Sequence, residues 1–321
     1  QEVYGPCDTT LYGLRIGNLD DDWNGSSAGG GVARCESDYY SNSFIARRPV
    51  CIAARIFDLG GLSGLKHIQG HFEFIGNPFV TDASGLSLLE RVDGDVHLSF
   101  SGALESWGDG LSKLAEVSGS LYVTGNAKLT SLPLGHLPGV GDKVEISYND
   151  ALSEIDLTGI TSLTTLLLDA NTRLVDLSGF ANLGSLSDSL YVRNNASLDN
   201  LGGLSKLTVV PGGVYINGNP RLSEVGLSGL AEVQGDIELI GNAFSRRMSL
   251  AGLEALSTVG GSIEIRDNRL LYSLDGLTSL EMVGGSFVLQ GNPSLPDVHG
   301  LLALSSVTGD LLATGNGALR D

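Results

Sequence analysis

One short motif keeps returning from residue 70 onward: a glycine, then two apolar residues at alternate positions, then an asparagine three places on. Clear copies are Gly119-Ser120-Leu121-Tyr122-Val123-Thr124-Gly125-Asn126 and Gly235-Asp236-Ile237-Glu238-Leu239-Ile240-Gly241-Asn242. The asparagine column runs Asn77, Asn126, Asn149, Asn171, Asn195, Asn219, Asn242, Asn268, Asn292 and Asn316, with Ser101 in the vacant place. Eleven copies follow one another at steps of 22 to 26 residues. Self-similarity at such a period is the signature of a repeat architecture, in which each unit buries its apolar face against its neighbours.

Alternation at the two apolar positions marks a short strand with one buried face. The pairs run Phe72/Phe74, Val96/Leu98, Leu121/Val123, Val144/Ile146, Leu166/Leu168, Leu190/Val192, Val214/Ile216, Ile237/Leu239, Ile263/Ile265, Phe287/Leu289 and Leu311/Ala313. Stacked in register they make one long parallel sheet. The glycine that often precedes the asparagine can take positive φ at the corner. The asparagine can bond the backbone of its own turn and of the next coil, forming a ladder.

Between strands runs a second pattern, as in Leu274-Asp275-Gly276-Leu277-Thr278-Ser279-Leu280-Glu281-Met282-Val283. Leucines three apart suit tight corners, each aimed inward. An α/β fold with amphipathic helices would need longer crossovers between its parallel strands. The expected fold is all-β: a parallel β-solenoid of about eleven coils over residues 53–321, behind an N-terminal cap at 1–52.

Composition narrows the function. The net charge of −18 repels polyanions and no Lys/Arg stripe offsets it, so nucleic-acid binding is excluded. No run of 18 apolar residues occurs, so no membrane-spanning segment is expected. The start at Gln1 fits a mature product whose leader has been removed.

The cap holds the aromatics Tyr4, Tyr12, Trp23, Tyr39, Tyr40 and Phe44, suited to plugging the first coil, and Val50 and Ile52 are expected to begin a zeroth strand. It also holds all three cysteines, Cys7, Cys35 and Cys51. They read as one disulfide plus an odd thiol, hence an oxidising compartment, and three single pairings are open. CxxC spacing is missing, so no metal site is expected.

The coil pattern, roughly L-x-G-L-x-x-L-x-x-V-x-G-x-ϕ-x-ϕ-x-G-N, resembles the receptor L-domain repeat over residues 56–321. That family includes the ligand-binding L domains of insulin and epidermal-growth-factor receptors and related fungal and bacterial surface proteins. The resemblance implies a right-handed β-helix related to leucine-rich repeats, outside the cell, with recognition or cell-wall roles. It also implies a Cys7–Cys35 cap disulfide with Cys51 as the odd cysteine. The chain departs from the receptors in running eleven uninterrupted coils with no cysteine-rich module.

No nucleophile elbow, P-loop or H-E-x-x-H occurs, and neither catalysis nor a cofactor is expected. The enzymatic rival is a polysaccharide-degrading β-helix using carboxylates on an external groove, for which Glu238, Glu264 and Arg266 are the candidates. The middle strand positions point outward, and there Tyr191 and Tyr215 should stack on adjacent coils, with Tyr122 further along. Tyrosines of this kind suit binding of protein or glycan, and equally suit cross-strand pairing that steadies a sheet. Of two sequons, Asn24 lies in a Gly/Ser-rich run and is the glycosylation candidate, while Asn195 belongs to the ladder and should stay bare. Ser245-Arg246-Arg247-Met248, in the longest step, is expected to form a solvated basic bulge.

The leading expectation is thus an extracellular or cell-surface recognition or adhesion protein binding protein or glycan. The alternative is a structural subunit of a surface layer or fibre. The last coil, Gly309 to Asn316, is as regular as those before it and no cap motif follows, so a covered end or head-to-tail self-association is expected.

Overall fold

The computed structural model describes the strand residues Thr10–Leu11, Leu14–Gly17 and Val50–Ile52 and the continuous stretch 57–320. Among these residues there is no α-helix. The chain forms an all-β parallel solenoid, as the repeat predicts. Its main sheet has 13 strands, all parallel, and the eleven predicted strands stack in chain order from Phe72–Ile75 to Leu311–Thr314, enclosing ten full turns. The register is unbroken: Val144 faces Leu121 and Leu166, and Leu190 faces Val214.

Every predicted inward pair from Phe72/Phe74 to Phe287/Leu289 is buried. Each such side chain contributes roughly 1.5–3 kcal/mol of burial free energy against the entropy of ordering the chain. The last pair differs, because no further coil covers it here, and Leu311 is exposed.

After each main strand the chain turns a corner, and all eleven residues preceding the ladder position have positive φ. Six are glycine. The other five are Phe100, Tyr148, Ala170, Asn194 and Asp267, with φ between 54° and 57°. The return path carries short 3-10 turns such as Ser84–Leu86 and Asp275–Leu277, then a two-residue strand in a second set of parallel sheets. The Leu-x-Gly-Leu glycine sits where coils touch. A Cβ on Gly276 would lie 1.7 Å from the carbonyl oxygen of Leu250, one coil back.

The ladder is continuous. Each asparagine side-chain oxygen accepts the backbone N–H of the ladder residue one coil earlier, from Ser101 onto Asn126 at 3.0 Å to Asn292 onto Asn316 at 3.0 Å. From Asn126 to Asn316, each Nδ2 also donates to a carbonyl at the second apolar position of the preceding coil. Ser101 holds its place with Oγ donating to the carbonyl of Ser99. Asn77 is buried at its own end of the column.

The N-terminal region enters this scaffold further than the repeat alone indicates. Leu14–Gly17 pairs directly with Phe72–Ile75, and Thr10–Leu11 with His67–Ile68. Val50–Ile52 does form a strand, but outside Leu14–Gly17, so it is not the immediate neighbour of the first coil. Leu14 and Ile16 carry the alternation, but the Gly17-Asn18 pair that follows comes one residue earlier than the Gly-Asn pair of the other coils. Cys51 pairs with Arg15 in the row of Glu73. Cys7, Cys35 and Asn24 lie outside the described residues.

Candidate functional site

The middle position of each main strand lies on the outward face, and strand register fixes its neighbours. The row runs Glu73, His97, Tyr122, Glu145, Leu167, Tyr191, Tyr215, Glu238, Glu264, Val288, Leu312. Two ring stacks interrupt the carboxylates.

Tyr191 and Tyr215 stack with centroids 4.8 Å apart and planes within 6°. Arg193, two residues along the same strand, places its guanidinium 4.5 Å from the Tyr191 centroid and 5.9 Å from that of Tyr215. No carboxylate among the described residues lies within ion-pairing distance of Arg193. The ring of Tyr215 leans over Gly213, where a Cβ would stand 2.5 Å from its hydroxyl and ring carbons. Burial pushes the Tyr215 hydroxyl pKa up, helped by Tyr191 and by the negative charges of Asp236, Glu238 and Asp188. The phenol therefore stays protonated and can both donate and accept hydrogen bonds. Asn217, the register neighbour of Arg193 on the next coil, donates from Nδ2 to Glu238 at 3.0 Å. The cluster thus offers aromatic surface, a cation, hydroxyls and a carboxylate within a few residues of sheet.

Tyr122 belongs to a separate stack. Its partner is His97, with centroids 4.4 Å apart and planes within 7°. Lys143 lies 4.8 Å from the Tyr122 centroid and 3.2 Å from Glu145. Burial lowers the His97 pKa and outweighs the nearby acids Glu73 and Asp95. Glu145 and Leu167 stand between the two stacks, so Tyr122 does not join the Tyr191 pair.

Glu238 and Glu264 are register neighbours, and Arg266 Nε lies 3.1 Å from Glu264. Each acid thus has a partner, Asn217 or Arg266, as carboxylates on a solvated sheet face commonly do. Ser245, Arg246 and Arg247 are exposed, as a solvated bulge requires, and the segment is also tied down. Arg246 pairs with Asp199, Arg247 lies 4.4 Å from the Tyr272 centroid, and Met248 is buried. Asn195 is fully buried, with Nδ2 donating to the carbonyls of Leu168 and Arg193, as expected of a ladder residue.

Sequence reasoning missed His97 as the partner of Tyr122, and Arg193 and Lys143 as the cations. The signal for Arg193 was present, since a residue two places after Tyr191 in a strand shares its face. No group of three or more His, Cys, Asp or Glu side chains arranged to hold a metal occurs among the described residues. No helix among them is long and apolar enough to cross a membrane.

Fold and surface together define a parallel β-solenoid with an open, aromatic-bearing sheet face. No protein-family model matches the chain, and no solved structure does. The chain is similar to protein ecm33 of Aspergillus fumigatus, 24% identical over 177 residues, which cover 54% of this chain and 42% of that protein. It is also similar to the cell surface GPI-anchored protein ECM33 of Candida albicans, 25% identical over 195 residues, which cover 59% of this chain and 44% of that protein. The match thus spans less than half the length of these curated relatives. Likeness to a fungal cell-surface protein agrees with the extracellular or cell-surface location expected from the sequence.

Proposed function

We propose that this chain is an extracellular recognition protein of the receptor L-domain type, binding a glycan or protein partner through the outward face of its main sheet and catalysing nothing. The observation that carries the reading is the Tyr191–Tyr215 stack flanked by Arg193, which has no carboxylate within ion-pairing distance among the described residues, in a protein of net charge −18. Stacked tyrosines give contact area at low entropy cost, and an unpaired guanidinium beside them is a ready hydrogen-bond donor. The engaged state of Glu238 and Glu264 supports a non-catalytic face.

The test is a binding screen of the purified chain against neutral and acidic glycans and extracellular proteins of its source. A variant carrying Tyr191→Ala and Tyr215→Ala is screened in parallel. The reading expects a ligand that binds the wild type and is lost from the variant. A ligand retained at full affinity by the variant would move recognition off this face.

A further inference from the structure

The sheet edge beside this face carries a second feature that the tyrosine stacks do not explain. At the corner position preceding the ladder, positive φ is met by glycine in six coils, yet two coils place Phe100 and Tyr148 there, at φ 54° and 57°. A left-handed conformation is strained for a bulky L-residue, whose Cβ crowds the following carbonyl oxygen. Core burial does not offset that strain, because Phe100 is 60% and Tyr148 61% exposed. Backbone strain that packing does not explain is a pointer to function.

The surroundings sharpen the pointer. Six aromatic side chains among the described residues are exposed: Phe57, Phe79, Phe100, Tyr148, Phe244 and Tyr272. Phe57 and Phe79 pack on each other at 5.5 Å, Arg269 lies 6.0 Å from Phe244, and Arg247 covers Tyr272. Phe100 and Tyr148 have neither a second ring nor a cation over them among the described residues. The corner residue between them is Gly125, and a Cβ there would lie 2.5 Å from the ring of Phe100. The bare glycine lets that ring settle along the edge. The backbones at Phe100 and Tyr148 stand two coils apart, about 10 Å at a strand spacing of ~4.8 Å, with the Phe100 ring reaching over the intervening Gly125.

We infer that Phe100, Gly125 and Tyr148 form a binding lane for an extended, neutral, β-linked glycan running along the solenoid axis. Pyranose rings present apolar C–H faces that suit free aromatic surfaces, and an extended β-linked chain lying along the solenoid axis can reach both rings. A polyanionic polysaccharide is disfavoured by the net charge of −18. The lane is distinct from the Tyr191–Tyr215 stack and stands or falls separately from it.

The probes are soluble β-linked gluco-oligosaccharides and N-acetylglucosamine oligosaccharides of increasing length, titrated calorimetrically into the chain. Affinity should rise with length until the oligosaccharide reaches both rings, and a disaccharide should bind weakly. Phe100→Gly and Tyr148→Gly should each weaken binding by at least about tenfold. Their Tm should be unchanged or higher, because glycine relieves the positive φ. The Tyr191→Ala/Tyr215→Ala variant should keep this binding, which separates the lane from the sheet face. Phe100→Leu, which retains bulk without a ring, should bind as poorly as Phe100→Gly. The inference is overturned if the wild type binds none of these oligosaccharides or if the glycine variants bind as well as the wild type. Loss of binding in step with loss of folded stability would also overturn it.

Discussion

Asn126 donates its backbone N–H to the side-chain oxygen of Asn149 at 3.0 Å, and Asn149 donates from its own amide to the carbonyl of Val123 at 2.9 Å. Each asparagine therefore satisfies a donor and an acceptor of the coil before it, away from water. Repeated along the column, this relationship ties successive corners together and fixes their register.

Replacing Asn268 with Leu removes the acceptor of the Asn242 N–H and the donor to the Leu239 carbonyl. The buried Asn242 N–H is left unpaired and the Leu239 carbonyl loses one of its donors, at a cost of about 1–3 kcal/mol. Urea unfolding should show that loss, and a neutral result would mean the ladder carries no stability.

Gly276→Ala should destabilise strongly, because its Cβ would stand 1.7 Å from a backbone oxygen that cannot swing away. Overpacking of a rigid contact costs typically about 1–3 kcal/mol or more. Gly102→Ala, with nothing within 4 Å of its Cβ, is the control and should be near neutral. Equal Tm values for the two variants would contradict the close approach of the coils.

Burial holds the His97 pKa below that of an ordinary histidine, near 6.5. As pH falls through that range the unfolded chain takes up the proton first, so this contribution to stability is present above about pH 6.5 and is lost on acidification. An NMR titration should place the His97 midpoint below the ordinary value, and His97→Gln should flatten the acid side of the stability profile. A midpoint above the ordinary value would reverse the sign and show that the acids around it dominate.

The period and alternation made the solenoid, its inward pairs and the ladder legible, because a parallel stack converts each sequence column into a row of neighbours. The same logic placed Tyr191 against Tyr215 and Glu238 against Glu264. It did not reach Leu14–Gly17, whose Gly-Asn pair falls one residue out of phase and whose neighbour is set by tertiary pairing across a long gap. Nor did it reach Phe100 and Tyr148. In sequence they merely occupy a glycine column, and only the backbone angle and exposure show that a bulky ring there is costly. The engagement of Arg246 with Asp199 spans two coils and left no local trace.

The most direct test of recognition through the sheet face is a double-mutant cycle on Tyr191 and Tyr215, scored on ligand affinity and on Tm together. If the stacked rings bind as one unit, either alanine alone should remove most of the affinity, the pair should add little, and Tm should fall only slightly. Unchanged affinity alongside a marked drop in Tm for both single variants would contradict the account, showing that the stack serves the sheet and no partner.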